Sequence, residues 1–333
     1  MIRTKSTLAL IIISLSLAAP LAAQTITLQI GAAVPANSPW DLGLRKLAAE
    51  WSRISNGRVR LSFPRSMANA SQEDLLQKMK FNLDGGMVET TGLFFIDKDF
   101  LLLSMPSIID DEREFAAAIS AMKPIMKARL ADRFEFITVA QGGYLHFFSN
   151  RPIVSPADLV NARIGVDASQ DILMKQMQAI GARTVKSDMS TTLLQFNSNA
   201  LDVTYTSPLI IATLWSQFKR SVSHMSSFRI SPFYGALLIN RRSWDRVPDE
   251  FKPALIAAAD QISLEIAAEA LKLERDAIAM MQNQGLSVPK VSDEQMKAWA
   301  ELFTGPRMQN LFSEWFSPEF TKAVTDAVRR VRN

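Results

Sequence analysis

Segments with strand-like and helix-like patterns alternate along most of this chain, and that alternation limits the fold more than any other feature. Residues 25–34 alternate and are rich in β-formers, and the apolar residues of 40–54 recur at helical spacing. A second strand at 58–63 and a helix capped by Ser71 follow. Strand, helix, strand and helix in succession indicate an α/β fold with a largely parallel sheet.

The middle of the chain repeats this pattern with different segments. Further strands are predicted at 134–140, 144–149, 162–166, 201–206 and 235–240, and helices at 170–180 and 208–218. The chain of 333 residues is longer than one hydrophobic core usually serves. We therefore expect two lobes.

The longest predicted element is a helix over 249–284, with Pro248 suited to its start and Gly285 to its end. At 1.5 Å per residue it would reach about 54 Å, longer than one lobe is wide, so we expect it to brace both lobes. Pro253 removes one early hydrogen bond and is expected to bend the first turns. The alternative is two shorter helices that meet near 267–268, because helices beyond 25 residues are uncommon.

Residues 1–23 have the three-part pattern of a secretory signal peptide. Arg3 and Lys5 form a positive region, 8–18 is an apolar run, and small residues continue to Ala23. The apolar run is shorter than the roughly 20 residues of a membrane-spanning helix, which disfavours a retained anchor. We expect cleavage after this segment and export to the periplasm. The chain has no cysteine, so it can carry neither a lipid-modified cysteine nor a disulfide.

Charge and residue types exclude several function classes. The 37 Lys and Arg nearly balance the 33 Asp and Glu, so we expect no nucleic-acid partner. His146 and His224 are the only histidines, which with no cysteine nearly excludes a metal site of the His and Cys type, and we expect no cofactor. His146 lies in an apolar strand, where a packed histidine is favoured over a general base. The acidic run 110–112 is predicted to cap a helix.

No catalytic motif is present in the sequence: neither HExxH, GxSxG nor the phosphate-binding GxxxxGK[ST] occurs. We therefore predict a binding protein and not an enzyme. The alternative is a periplasmic hydrolase or isomerase with an unrecognised site.

Several short stretches, taken together in their order and spacing, match a known family: residues 32–40, 55–61, 83–86, 105–108, 155–159 and 243–248. In these stretches the chain resembles the solute-binding subunits of TRAP transporters (tripartite ATP-independent periplasmic systems), of the DctP type. The resemblance implies an α/β, two-lobed periplasmic solute-binding fold with mixed sheets, a ligand cleft between the lobes and a long lobe-spanning helix.

The resemblance also implies an organisation and partners. Lobe I would comprise 24–147 and 234–265, and lobe II 148–233 and 266–333 with the C-terminal helices. A small-molecule ligand would be enclosed by lobe closure and delivered to the small and large membrane permease subunits.

The chain departs from the family where typical members hold an organic acid. Gly165 stands where they have an arginine in the strand that follows the 155–159 turn, and Leu145 stands where a second arginine is common. In 201–208 hydroxyl and apolar groups replace an amide and an acid. These departures resemble the variant subclass that has a tetratricopeptide-repeat periplasmic partner and lacks the carboxylate-binding arginine.

We therefore expect the cleft to prefer an apolar or weakly polar ligand over a small dicarboxylate. Each buried methylene contributes roughly 0.8 kcal/mol, so a chain of several carbons can reach micromolar affinity without an ion pair. The expected walls are Leu145, Val166, Tyr205, Pro208, Phe233 and Tyr234, the expected polar contacts are Asn37, Thr206 and Ser207, and Trp40, Glu89, Thr90 and Gly165 complete the site.

Alternatives remain for several of these residues. Trp40, Phe233 and Tyr234 are also explained by core packing, and Glu89 either binds a hydroxyl or amine or faces water. Arg163 precedes Gly165 on the same side of the predicted strand and could bind a carboxylate from a shifted place. A carrier or sensor of lipid-like ligands that is not coupled to import has the same sequence features.

Overall fold

The computed structural model describes residues 25–68, 70–166 and 171–332, so the predicted signal peptide lies outside the described residues. The first half contains β1 (Ile26–Ala32), α1 (Pro39–Ile54), β2 (Val59–Ser62), α2 (Gln72–Phe81), β3 (Gly85–Glu89), α3 (Thr90–Ile96), α4 (Glu112–Leu130) and β4 (Phe134–Ser149). Short 3-10 turns occur at Arg65–Met67 and Lys98–Ser104.

The second half begins with a 3-10 turn at Pro156–Leu159. Its elements are β5 (Arg163–Val166), α5 (Asp171–Ala179), β6 (Arg183–Lys186), α6 (Met189–Asn197), β7 (Val203–Thr206), α7 (Pro208–Thr213), α8 (Trp215–Phe218), β8 (His224–Met225), β9 (Ser231–Asn240), α9 (Arg241–Trp244), α10 (Lys252–Asn283), α11 (Asp293–Thr304), α12 (Pro306–Trp315) and α13 (Pro318–Arg332). The predicted helix 208–218 is in fact two helices, interrupted at Leu214.

The strands form one mixed sheet in the order β2-β1-β3-β9-β4-β7-β5-β6, with β8 paired to β4. The pairs β2-β1-β3 and β7-β5-β6 are parallel, whereas β9 is antiparallel to β3 and β4, and β4 is antiparallel to β7. We call β1, β2 and β3 with their covering helices lobe I, and β5, β6 and β7 with theirs lobe II. The mixed α/β architecture confirms the predicted fold class.

Strand β4 passes through both lobes. It pairs with β9 as far as Leu145 and with β7 from His146 onwards. The sequence predicted two separate strands here, but the structure joins them through a bulge between Gln141 and Tyr144. The glycine pair in this segment explains the continuity, because Gly143 has a φ of 105°, which bends the strand without ending it.

Helix α10 is one continuous helix of 32 residues, about 48 Å long, so the alternative of two shorter helices is wrong. It begins at Lys252 rather than at 249, which places Pro253 in the first turn, where no helical hydrogen bond is lost. Ile262 packs with the core of lobe I, and Met281 packs with the core that contains Phe148. The helix therefore braces both lobes, as predicted.

Side-chain caps fix where the helices begin. The Asp111 carboxylate accepts a hydrogen bond from the Glu114 backbone N–H at 2.9 Å, which confirms the predicted capping role of the acidic run. Ser71 accepts one from the Asp74 backbone N–H at 3.0 Å, as expected. Within the described ranges, no helix is both long and apolar enough to cross a bilayer.

A buried carboxylate joins α10 to the bend in β4. Glu274 accepts a hydrogen bond from the Tyr144 backbone N–H at 2.7 Å, and a Cβ atom at Gly143 would collide with its carboxylate. Burial raises the pKa of Glu274 to about 7, although this N–H acts in the opposite direction. The bend therefore requires glycine for two reasons: its backbone conformation and the space taken by Glu274.

We expect Gly143→Ala to be more destabilising than Gly285→Ala. Both glycines have positive φ, 105° and 104°, which costs a residue with Cβ about 1–2 kcal/mol. Open space surrounds Gly285, so it serves as the matched control. The collision with Glu274 should add about 1–3 kcal/mol to the loss at Gly143, measured by urea unfolding. Equal losses in the two variants would contradict the proposed contact.

Candidate ligand-binding cleft

The parallel strands of both lobes place their carboxyl ends around one region of the sheet. Ligands of open α/β sheets bind beyond the carboxyl ends of strands, where the strand order changes direction. Here the two parallel runs meet at the antiparallel pair of β9 and β4. Glu89 ends β3, Val166 ends β5 and Thr206 ends β7, while residues 167–170 lie outside the described residues.

An aromatic pair, Trp40 and Phe233, lies on the backbone of the crossing strands. Trp40 is buried in the lobe I core, and Phe233 is partly exposed and packs against that core. Their rings are stacked with centroids 5.8 Å apart and planes inclined by 22°. A Cβ atom at Gly142 would be 2.7 Å from the Phe233 ring, and one at Gly235 would be 2.6 Å from the Trp40 ring. Both distances are shorter than van der Waals contact, so the two rings can occupy these places only because residues 142 and 235 are glycines without a Cβ atom. We call Trp40 and Phe233 the aromatic platform.

Glu89 lies beside this platform, because it pairs with Gly235 across β3 and β9. Its backbone N–H donates to the Gln72 side-chain oxygen at 3.0 Å, but its carboxylate makes no hydrogen bond or ion pair within the described part of the chain. It stands at the N-cap of α3 without capping it. Burial raises the pKa of Glu89 to about 7.

Leu145 and Tyr205 lie at the other end of the same face. Leu145 pairs with Ser231 of β9, and the Tyr205 hydroxyl is hydrogen-bonded to the Ser231 hydroxyl. Residues 231, 233 and 235 alternate along β9 and so share one face, over a length of about 13 Å. Trp40, Glu89, Leu145, Tyr205 and Phe233 are thus aligned on this face, and we call them the cleft face.

Several other predicted residues are part of the protein interior. Tyr234 is fully buried with its hydroxyl on the Phe100 carbonyl, so its prediction as a wall is wrong. Val166 is likewise a core residue, packed in the lobe II cluster that contains Ile164. Thr90 donates to the Tyr234 carbonyl at 2.8 Å, because it lies where α3 begins against β9.

The segment after β7 is also largely internal. Ser207 is buried and caps α7 by accepting from the Leu209 N–H at 3.2 Å, and Pro208 is buried in the first turn. Neither is exposed as a wall or polar contact, contrary to the prediction. Thr206 is partly exposed and pairs with His146.

Leu145 and Gly165, which were expected to replace two arginines, lie on opposite faces of the lobe II sheet. Cross-strand pairing places Leu145 on the face of Phe147 and Tyr205, whereas Gly165 pairs with Thr204 on the other face. A Cβ atom at Gly165 would lie 3.0 Å from the Ser187 Cβ, so this position has little space for a longer side chain.

Arg163 is occupied by an ion pair. Its guanidinium holds the Asp202 carboxylate at 2.6 and 2.9 Å and also donates to the Asn199 carbonyl. These hydrogen bonds lower the pKa of Asp202 to about 2. A guanidinium group that already forms a bidentate pair with Asp202 has few N–H donors left for a ligand carboxylate. The structure thus gives no support to carboxylate binding by Arg163.

Asn37 lies in the loop after β1, apart from the aligned residues. It is exposed, has a φ of 61°, and donates its backbone N–H to the Asp41 carboxylate at 2.7 Å. A cavity of about 630 Å³ opens at the carboxyl ends of β1 and β2 beside this loop, lined by apolar residues such as Val34 and by the cationic Arg45 and Arg65.

The described histidine and acidic residues form no cluster that could hold a metal ion. His146 is buried, and its Nδ1–H donates to the Ser226 carbonyl at 3.0 Å. Within 25–68, 70–166 and 171–332, no group of three or more His, Asp or Glu residues could hold a metal ion.

The model of bacterial extracellular solute-binding protein family 7, called DctP, matches residues 30–314, which is most of the chain. The chain belongs to this family. DctP proteins are transport receptors and not enzymes, which confirms that prediction.

Solved structures of similar proteins share the fold of this DctP protein. A TRAP periplasmic solute-binding protein of Desulfovibrio salexigens, with bound orotic acid, is 18% identical over 92% of this chain and 100% of its own, with a TM-score of 0.81. A Bordetella pertussis receptor that binds pyroglutamic acid has 18% identity, the same coverages and a TM-score of 0.77. A Roseobacter denitrificans protein with bound β-D-glucuronate has 15% identity over 91% and 99%, with a TM-score of 0.76.

The residues that support the cleft face of this DctP protein were not predicted from its sequence. Gly142 and Gly235 leave room for the aromatic platform, Ser231 holds Tyr205, and Glu274 fixes the bend. Glycine inside a strand pattern signals a bulge or a close approach, so the glycines were detectable. The helical pattern of 249–284 gave no sign that one of its glutamates is buried.

We expect His146 to make the stability of this DctP protein depend on acid pH. Burial lowers the pKa of His146 to about 4, so the unfolded chain takes up its proton first as pH falls from 6.5. The folded state should therefore lose about 3 kcal/mol between pH 6.5 and 4 from this residue. The free energy of unfolding, measured with urea at each pH, should therefore fall more steeply between pH 6.5 and 4 in the wild type than in His146→Gln.

Glu89 and Glu274 have raised pKa values and act in the opposite direction between pH 4.5 and 7, but equally in both proteins. Parallel stability curves for wild type and His146→Gln would contradict a buried neutral His146.

Proposed function

We propose that this chain is the periplasmic receptor of a TRAP transporter and that it binds an apolar or weakly polar organic molecule between its lobes. Closure of the lobes around the ligand would produce the form that the small and large membrane permease subunits recognise. Export would depend on a cleavable signal peptide at residues 1–23. A periplasmic tetratricopeptide-repeat protein is a further proposed partner.

Among the residues that the structure describes, the cleft face carries no cation, and this supports the ligand class most directly. Its five members are aromatic, aliphatic or acidic, and Arg163, at the opposite end of β5 from Val166, is held by Asp202. A buried ligand carboxylate without a charged partner would lose several kcal/mol of desolvation free energy. The unpaired Glu89 carboxylate would add repulsion whenever it is ionised.

Contact with apolar surface can supply the affinity instead. Phe233, Leu145 and the Tyr205 ring are partly exposed and offer apolar area along a face of about 13 Å, enough for a ligand of several carbons. Each buried methylene contributes roughly 0.8 kcal/mol, and micromolar binding corresponds to about 8 kcal/mol.

A second candidate is conventional binding of an organic acid. The similar structures from Desulfovibrio salexigens, Bordetella pertussis and Roseobacter denitrificans hold or bind orotic acid, pyroglutamic acid and β-D-glucuronate. For this chain, the acid would need Arg163 to release Asp202. A carrier or sensor that is not coupled to import is a third candidate, and a pull-down of the permease subunits separates it from the first.

Isothermal titration of the mature protein with two ligand sets tests the ligand class. We expect C4-dicarboxylates and hexuronates not to bind at 1 mM, which means a binding free energy of about 4 kcal/mol or weaker. Neutral apolar molecules of similar size should bind with micromolar affinity. Arg163→Ala should leave that affinity unchanged. Arg183→Ala is the matched control, because Arg183 is exposed and pairs with Arg163 across β5 and β6.

Submicromolar binding of a dicarboxylate that Arg163→Ala abolishes and Arg183→Ala retains would establish the acid-binding alternative. Mass spectrometry of the ligand that co-purifies with the native protein gives an independent answer.

A further inference from the structure

We infer that the ligand of this receptor carries a protonated amine, which the Glu89 carboxylate and the aromatic platform hold together at one end of the cleft face. The inference rests on the proposed function, since it adds one cationic group to an otherwise apolar ligand. Its basis is the juxtaposition of an unpaired carboxylate with two stacked aromatic rings.

The Glu89 carboxylate has no structural role among the described residues. It makes no hydrogen bond or ion pair there, and it stands at the N-cap of α3 without accepting from that helix. By contrast, the buried Glu274 and Glu114 carboxylates accept bonds from the Tyr144 N–H at 2.7 Å and the Asp110 N–H at 2.7 Å. Glu89 is partly exposed, so its carboxylate is open to solvent in the free protein and available to a ligand.

The surroundings of Glu89 favour a cation as that ligand group. Glu89 is paired with Gly235, and the Trp40 ring covers Gly235. An aromatic face attracts an ammonium group that lies within about 6 Å of the ring centre. Phe233 is the partly exposed ring of the pair, whereas Trp40 is buried, and their stacking fixes the orientation of both rings.

The rest of the cleft face determines what the remainder of the ligand is. From Gly235, β9 leads past Phe233 to Ser231, where Leu145 and the Tyr205 ring lie about 13 Å away. These residues offer apolar contact and no further charge. An amine at one end of an aromatic or aliphatic body therefore matches the face.

Calorimetric titration with three matched probes tests the inference: phenethylamine, 2-phenylethanol and 3-phenylpropanoate, together with the hexyl equivalents. They share an apolar body and differ in carrying a cationic, neutral or anionic end. We expect each amine to bind at least tenfold more tightly than its alcohol, and the carboxylates not to bind.

Glu89→Gln should abolish the preference for the amine, because it removes the charge and retains the shape. Glu294→Gln, on the exposed side of α11, is the matched control and should behave as wild type. Glu89→Asp keeps the charge and should retain part of the preference, which separates loss of charge from misfolding; circular dichroism of each variant checks the fold.

A pH series adds a readout that apolar contact alone would not change. Because burial alone raises the pKa of Glu89 to about 7, amine affinity should rise about tenfold between pH 6 and 8 as the carboxylate ionises. The alcohols should show no such increase. In Glu89→Gln the amine should also lose its pH dependence.

Each outcome decides between the two proposals. Alcohols that bind as tightly as amines, or an amine preference that survives in Glu89→Gln, would overturn the amine inference and leave an apolar-ligand receptor. Tightest binding of the carboxylates would overturn both the inference and the proposed ligand class. Failure of every amine to bind would also overturn the inference.

Discussion

The antiparallel pairing of β4 with β9 joins the two lobes, and the rest of the structure depends on it. Strand β4 leaves β9 at Leu145 and continues with β7, so one backbone belongs to both halves of the sheet. The strand must therefore bend, and the bend is possible because Gly143 adopts a positive φ beside Glu274. Helix α10 supplies that carboxylate and spans the same junction. Strand, bend and helix thus form a single connection between the lobes.

Two glutamates with similar pKa values play different parts around this connection. Burial raises the pKa of both Glu89 and Glu274 to about 7. Glu274 is satisfied by the Tyr144 N–H, so its place in the structure is explained within the chain. Glu89 has no such partner among the described residues. Burial of a carboxylate alone therefore does not distinguish a structural group from one available for a ligand; the hydrogen-bond partners do.

Local patterns were sufficient for most of the fold but for only part of the cleft. Helical periodicity identified α1 and α10, and turn chemistry placed the cap at Ser71. The face of the sheet on which a side chain lies was less predictable, because it depends on cross-strand register. Tyr234, for example, points into the core, while its neighbour Phe233 forms part of the platform. The pairing of Arg163 with Asp202 likewise joins residues far apart in sequence, and no local pattern encodes such a contact.

The two glycines under the aromatic platform also restrict how the binding preference can change by mutation. Even an alanine at Gly142 or Gly235 would displace Phe233 or Trp40, so these positions tolerate almost no variation while the platform is kept. Glu89 and Leu145 are partly exposed on the cleft face, and neither supports another residue of that face. Substitutions that change the bound solute should consequently accumulate at Glu89 and Leu145, while the glycines of the crossing strands stay the same.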